Sequence, residues 1–269
     1  MLKINEEEVV NVITNFIKSY VEKAGKSRIV IGLSGGIDSS LVSKLAVMAI
    51  GKENVFAIFL PETATPLHEF EHSRLMARKL GLRYNSIDIS SIVHSIIAKD
   101  KLNEITLGNI KARVRMVYLY KYANMLNALV CGTSNKTELL LGYFTKYGDG
   151  GADFLPIGDL YKTQVYELAR YLKLPEEIIN KPPTAGLWKG QTDEKELGLP
   201  YEKIDRILYG IERKFDFNKI AEIADVDVGE VKRIYEMVRK NEHKRRSPIV
   251  AKIGFKTVGI DWRFPLQMQ

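Results

Sequence analysis

Residues 34–40 read SGGIDSS: three hydroxyls, two glycines and one carboxylate within seven positions. Glycines let backbone amides approach an anion closely, and serines add hydroxyl donors. The segment lies between an apolar run, RIVIGL, and a helical run, LVSKLAVMAI, so it reads as a strand-to-helix turn. At such a turn the helix dipole and the first helical amides favour negative charge. The chemistry on offer is phosphate binding. Asp38 is the informative residue, because a carboxylate beside bound phosphates is repelled unless a divalent cation lies between them. That points to magnesium. The bland alternative is a glycine-rich turn in which Asp38 merely caps a helix.

Two familiar phosphate loops do not fit. A Walker loop ends in Gly-Lys-Ser/Thr, and no lysine follows Gly36. A dinucleotide fingerprint needs G-x-G-x-x-G, which Gly32-Leu33-Ser34-Gly35 breaks. A second cluster, HEFEH at 68–72, spells H-E-x-x-H, with His68 and His72 as zinc ligands and Glu69 as base. It begins just after Pro66, where a helix is barely formed. Glu71 adds a charge in the tight interval, and no third ligand is evident.

The elements that position these residues follow from periodicity. A first helix is predicted over 5–22, with Asn5 and Glu8 as a capping box and Val9, Val12, Ile13, Phe16, Ile17 and Tyr20 as its apolar stripe. Strands are predicted at 28–33, 54–60, 84–89 and 128–133, separated by helices at 38–50 and 67–80 and a helix-rich stretch at 91–126. This alternation means βαβ units and a doubly wound, mostly parallel α/β sheet. Helices at 162–172, 201–211, 217–224 and 228–241 complete the chain, and a Gly/Pro-rich stretch near 180–200 reads as a loop over the site. In such a sheet, ligands bind at the carboxyl ends of strands, where 34–39 sits.

SGGIDSS after a first strand resembles the pyrophosphate loop of the ATP pyrophosphatases. Four further stretches choose the member: NIKARVRM (109–116), GTSNKTELLLGYFTKYGDGGADFLPIGDLYKTQV (132–165), PPTAGLWKGQTDEKELG (182–198) and EHKRRSP (242–248). Each is similar to ammonia-dependent NAD synthetases, in that family's order. The resemblance implies an adenine-nucleotide-hydrolase-like fold with added C-terminal helices and a single domain over 1–269, without a glutaminase domain. It implies adenylation of deamido-NAD by ATP, then displacement of AMP by ammonia.

Residue by residue, it implies that Gly32, Leu33, Ser34, Gly35, Gly36, Ile37, Asp38 and Ser39 cradle the ATP phosphates. Asp38 and Glu138 would hold Mg²⁺, and Thr133, Lys162 and Thr184 would contact ATP. Arg113, Lys146, Asp153, His243 and Lys244 would contact deamido-NAD, with Asp153 also orienting or deprotonating the incoming nitrogen. Arg113 is chosen over Arg115 on family spacing. EHKRRSP, taken alone, is an ordinary basic surface tail. The resemblance also implies a homodimer built on the helix after Asn103, with the deamido-NAD site at its interface.

Composition agrees. The 269 residues carry a net charge of +7, which suits either a solvated surface or a polyanionic substrate. No apolar run reaches the roughly 18 residues of a membrane span. The N-terminus, MLKINEEEVV, is acidic and not a signal peptide. Cys131, the only cysteine, excludes an internal disulfide, suits the cytoplasm and reads as a small buried strand residue. Two rivals remain. A tRNA-modifying relative needs either paired cysteines or an RNA-binding domain, and neither is evident, so no nucleic-acid partner is expected. A nucleotide-sensing protein of the same topology would not need a magnesium-holding carboxylate pair.

Overall fold

The computed structural model describes residues 2–184, 186, 188 and 191–262. Four parallel strands, β1 (Ile29–Gly32), β2 (Val55–Phe59), β3 (Arg83–Ser86) and β4 (Leu129–Cys131), pair in the order β3-β2-β1-β4. Each falls within the predicted run or one residue outside it. The alternation of side chains along a strand sorts the core into two layers. Ile29 and Ile31 of β1, Val55 and Ala57 of β2 and Cys131 of β4 face one side. There they meet α1 (Glu6–Lys23), α2 (Ile37–Ile50), α3 (Leu67–Leu80) and α7 (Lys162–Tyr171). Val30, Ile58 and Val130 face the other side, against α4 (Ser90–Ile97) and α5 (Glu104–Leu126). The helix-rich stretch divides at 98–103, because Asn103 starts a new helix by accepting from the Thr106 amide.

Between β4 and the last helices the chain supplies α6 (Lys136–Leu141), then α7, α8 (Glu176–Ile179) and α9 (Asp193–Leu197). A third core cluster gathers α6 with α10 (Tyr201–Glu212), α11 (Phe217–Ala224) and α12 (Val228–Lys240), followed by the single turn α13 (Glu242–Arg245). α10 thus packs on α6 and α7 and α12 packs on α6, placing the C-terminal helices beside two of the helices that begin at the sheet's carboxyl edge.

The connection from β1 runs to β2 on one side, while β4 lies on the other. The carboxyl ends of β1 and β4 are therefore a topological switch point, where an open α/β sheet binds its ligand. Residues 152–154 extend the sheet beyond β4 through a parallel bridge from Phe154 to Cys131. Among the described residues no helix is long and apolar enough to cross a membrane.

Candidate active site

The turn after β1 is built by its own hydroxyls. The Ser34 amide donates to Ser39 Oγ at 3.2 Å, the Gly36 amide to Ser34 Oγ at 3.3 Å, and Ser39 Oγ to the Gly36 carbonyl at 3.1 Å. Gly36 is the N-cap of α2 and offers no side-chain acceptor, so the first-turn amides of a 14-residue helix meet the cleft uncapped by a side chain. Gly35 has φ +81°, and a Cβ there would lie 2.5 Å from the Glu69 carbonyl of α3. Gly36 has φ −87°, and its nearest neighbour would be Ser34 Oγ at 3.4 Å. The two glycines therefore do different work: Gly35 lets the turn press on α3, and Gly36 keeps the anion face bare.

An expected outcome follows. Gly35→Ala combines a left-handed φ with a backbone clash, and loses about 2 kcal/mol or more. By thermal unfolding without nucleotide, that is a fall of roughly 5 °C for a chain of this size. Gly36→Ala melts within about 2 °C of the parent. Equal melting of the two variants would remove this division of labour.

Beyond the turn lies a cleft of about 470 Å³, within the usual range for small-molecule sites. Gly32, Leu33, Ser34, Gly36, Ile37, Asp38, Ser39, Thr133, Glu138, Lys162, Thr184 and Lys244 all line it; Gly35 turns away towards α3. At its floor Lys162, the first residue of α7, reaches Asp38 Oδ2 at 2.6 Å and Glu138 Oε1 at 3.4 Å. Asn135 joins the same group from the other direction. It caps α6 by accepting from the Glu138 amide at 3.0 Å, its own amide donates to Glu138 Oε2 at 3.2 Å, and its Nδ2 donates to Asp38 Oδ1 at 2.9 Å.

Burial, and then the neighbouring Asp38, push the Glu138 carboxyl up to about 8, against the pull of Lys162 and the Asn135 amide. Burial acts to discharge Lys162, but Asp38 and Glu138 outweigh it and hold the ammonium protonated. Two carboxylates crowded on one cation at the floor of a cleft keep unused lone pairs and an unfavourable mutual charge. That fits a hard divalent cation that takes its other ligands from phosphate and water. The described residues hold no group of three His, Cys, Asp or Glu able to bind a metal by themselves.

HEFEH lies on α3, where Glu69, the base such a motif needs, accepts from Lys181 at 3.1 Å. His68 and His72 stand with ring centroids 5.8 Å apart.

The residues assigned to the second substrate divide. Arg113 is exposed and donates to the Lys146 carbonyl at 3.3 Å, and Lys146 donates to the His243 carbonyl at 2.7 Å, so these three form a linked rim outside the cleft wall. Lys244 lines the cleft, but its ammonium is held by the Gly142 and Phe144 carbonyls at 2.6 and 3.0 Å. With Asn241 on the Leu141 carbonyl and Arg245 on those of Leu139 and Leu140, it closes the carboxyl end of α6. Asp153 stands apart from the cleft. Its Oδ2 accepts from the Val130 amide at 2.7 Å and its Oδ1 from the Tyr120 hydroxyl at 3.1 Å.

The family model for NAD synthase matches residues 9–248. The chain belongs to the NAD synthase family. An NH(3)-dependent NAD(+) synthetase of Methanosarcina acetivorans is 46% identical over 92% of this chain and 98% of its own length. Among solved structures, an NMN synthetase from Francisella tularensis superposes with a TM-score of 0.84 at 34% identity, over 93% of this chain and all of that one. The NH3-dependent NAD synthetase of Campylobacter jejuni, solved with nitrate, superposes with a TM-score of 0.79 at 35% identity, over the same shares. Membership of the NAD synthase family selects among the ATP pyrophosphatases and disfavours the tRNA-modifying alternative.

Three features of the site are not among the residues the sequence points to. Asn135 was recoverable, because Asn-x-x-Glu at 135–138 repeats the capping-box spacing read at Asn5–Glu8. Arg115 lines the cleft with Nε on the Leu60 carbonyl at 3.0 Å, and burial lowers its pKa. The Glu69–Lys181 pair ties α3 to the segment leading into 182–198, four residues of which (185, 187, 189 and 190) lie outside the described residues. No local pattern announces that pair.

Proposed function

We propose that the chain makes NAD from deamido-NAD, ATP and ammonia, releasing AMP and pyrophosphate through an acyl-adenylate. What carries this reading is the convergence of Asp38 and Glu138 on buried Lys162 beneath a glycine-rich turn, in a chain of this family. The first-turn amides of α2 and the seryl hydroxyls take the phosphates, with Thr133 and Thr184 on the facing walls. Lys162, kept charged by its two carboxylates, stabilises negative charge gathered on the phosphates as pyrophosphate leaves. Asp38 and Glu138 are the residues that would hold Mg²⁺, which would neutralise negative charge on the phosphates. The nicotinate carboxylate, an otherwise poor acyl donor, becomes reactive once its oxygen is carried by AMP, and ammonia then displaces that AMP.

The rest of the reading covers the chain as a whole. Residues 1–269 form one synthetase unit that acts as a cytoplasmic homodimer. The dimer is supported by large apolar side chains left exposed on α5 away from the cleft, among them Val117 and Met125. Arg113, Lys146, His243, Lys244 and Asp153 are the dinucleotide-side residues of this reading, with Lys244 on the cleft wall and Asp153 acting from beyond it.

The decisive assay supplies ATP, Mg²⁺, deamido-NAD and ammonium. It is expected to yield NAD, AMP and pyrophosphate in equal amounts, and no NAD would end the reading. A second reading, amidation of nicotinate mononucleotide, is favoured by the superposition on an NMN synthetase. Truncated substrates lose the binding energy of the missing half. The dinucleotide is therefore expected to exceed the mononucleotide by more than about tenfold in kcat/KM. A reversed preference would establish the second reading.

A further inference from the structure

Lys162 and Glu138 sit on different helices, and something must fix α6 against α7. Asp205, on α10, is fully buried at 0% exposure and lies outside the cleft. Its Oδ1 accepts from the Thr137 hydroxyl at 2.5 Å, and its Oδ2 accepts from the Thr163 amide at 2.8 Å. The same Thr137 hydroxyl accepts from the Lys162 amide at 2.9 Å. Thr137 precedes Glu138 on α6, and Lys162 and Thr163 are the first two residues of α7. One carboxylate, through one hydroxyl, thus holds the backbones that carry both members of the Lys162–Glu138 pair. It also places negative charge at the amino end of α7, where the dipole welcomes it.

Burial pushes the Asp205 carboxyl up; the bonds from Thr137 and Thr163, and the nearby Lys162, act the other way. A buried carboxylate is costly unless its lone pairs are filled. An apolar residue at 205 would leave the Thr137 hydroxyl and the Thr163 amide without this acceptor, so the carboxylate's role lies in the bonds it makes between α6, α7 and α10.

We propose that Asp205 is a positioning residue for the adenylating site: through Thr137 and the start of α7 it sets the placement of Lys162 against Glu138. The inference rests on the function proposed above. Small misplacements of a charged group in a preorganised site lower the rate strongly while leaving binding nearly unchanged.

The test compares Asp205→Asn, Thr137→Val and Thr137→Ser with the parent enzyme. The readouts are kcat and KM per folded molecule, ATP affinity by calorimetry, and the thermal midpoint. Thr137→Val is nearly isosteric and lacks only the hydroxyl, so it decides the matter even where Asp205→Asn does not fold. Asp205→Asn and Thr137→Val are expected to lose about tenfold or more in kcat, with ATP affinity and KM within about twofold of the parent. Thr137→Ser, which keeps the hydroxyl, restores the rate to within about twofold. The double variant is no slower than the slower single one, because both changes cut one chain of bonds.

A lowered midpoint with unchanged kcat per folded molecule would overturn the inference, as would unfolding of both Asp205→Asn and Thr137→Val. Loss of rate in Thr137→Ser equal to that in Thr137→Val would also overturn it. Normal parent turnover with unaffected variants sinks this inference alone. A parent enzyme that forms no NAD sinks the functional reading as well.

Discussion

Asp38→Asn and Glu138→Gln are each expected to lower kcat about a hundredfold while leaving ATP binding within a few-fold of the parent. The loss corresponds to about 3 kcal/mol of transition-state stabilisation. Both replacements keep shape. Asparagine at 38 still offers an oxygen to Asn135 Nδ2, and glutamine at 138 still offers one to the Asn135 amide, so the cap of α6 survives. What disappears is one negative charge beside Lys162 and one ligand for a divalent cation. The ground-state hold on the triphosphate is shared with the amides of the turn, so affinity suffers little.

Glu138→Gln is expected to keep most of its stability, because burial and Asp38 both oppose ionisation of Glu138. Asp38→Asn is expected to melt lower, because it removes the nearer counter-charge, at 2.6 Å, of buried Lys162. A kcat per folded molecule that collapses in both would mark the charge as functional. Near-normal turnover in either variant would mean that the cluster is a structural ion pair and that the metal lies elsewhere.

The parts of this site that were legible in the sequence are those made by neighbours in the chain. SGGIDSS declares its own turn, since glycine and serine at those positions determine which backbone shapes and hydroxyl bonds are available. β1, β2 and β4 declare themselves by apolar runs between turn residues, whereas β3, Arg-Tyr-Asn-Ser, is polar and is legible only from its place in the alternation. The Asp38–Lys162 contact spans 124 positions and exists only because α2 and α7 pack on the same face of the sheet. Likewise Thr137 and Asp205, 68 positions apart, meet because α10 closes on α6 and α7. Arg113 and Arg115 show the same limit at short range. Two positions on a helix point in nearly opposite directions, and α5 buries residues all round, including Lys111, Ala112, Val114 and Met116. The spacing therefore gives no clue to which arginine faces the cleft. Lys244 was legible as a cation near the site, but its two carbonyl partners depend on how the C-terminal turn docks on α6.

The order of bond-making gives an all-or-none result. In adenylation followed by amidation, a nicotinate oxygen attacks the α-phosphorus, the bond to pyrophosphate breaks, and that oxygen later departs with AMP. Deamido-NAD carrying ¹⁸O at both carboxylate positions is therefore expected to yield AMP with one label and NAD with the other. Withholding ammonia should still permit ATP–pyrophosphate exchange, since the first half-reaction needs no nitrogen. The competing route, attack on the γ-phosphorus, would release ADP and send label into orthophosphate. Sites built for that transfer commonly place a lysine within the phosphate loop itself. Here no lysine follows Gly36; the buried cation comes instead from the start of α7, clasped by Asp38 and Glu138. That arrangement suits a site in which the β and γ phosphates leave together over the turn and the helix amides. Label in orthophosphate, with ADP as the product, would overturn both the mechanism and the reading of SGGIDSS as a pyrophosphate cradle.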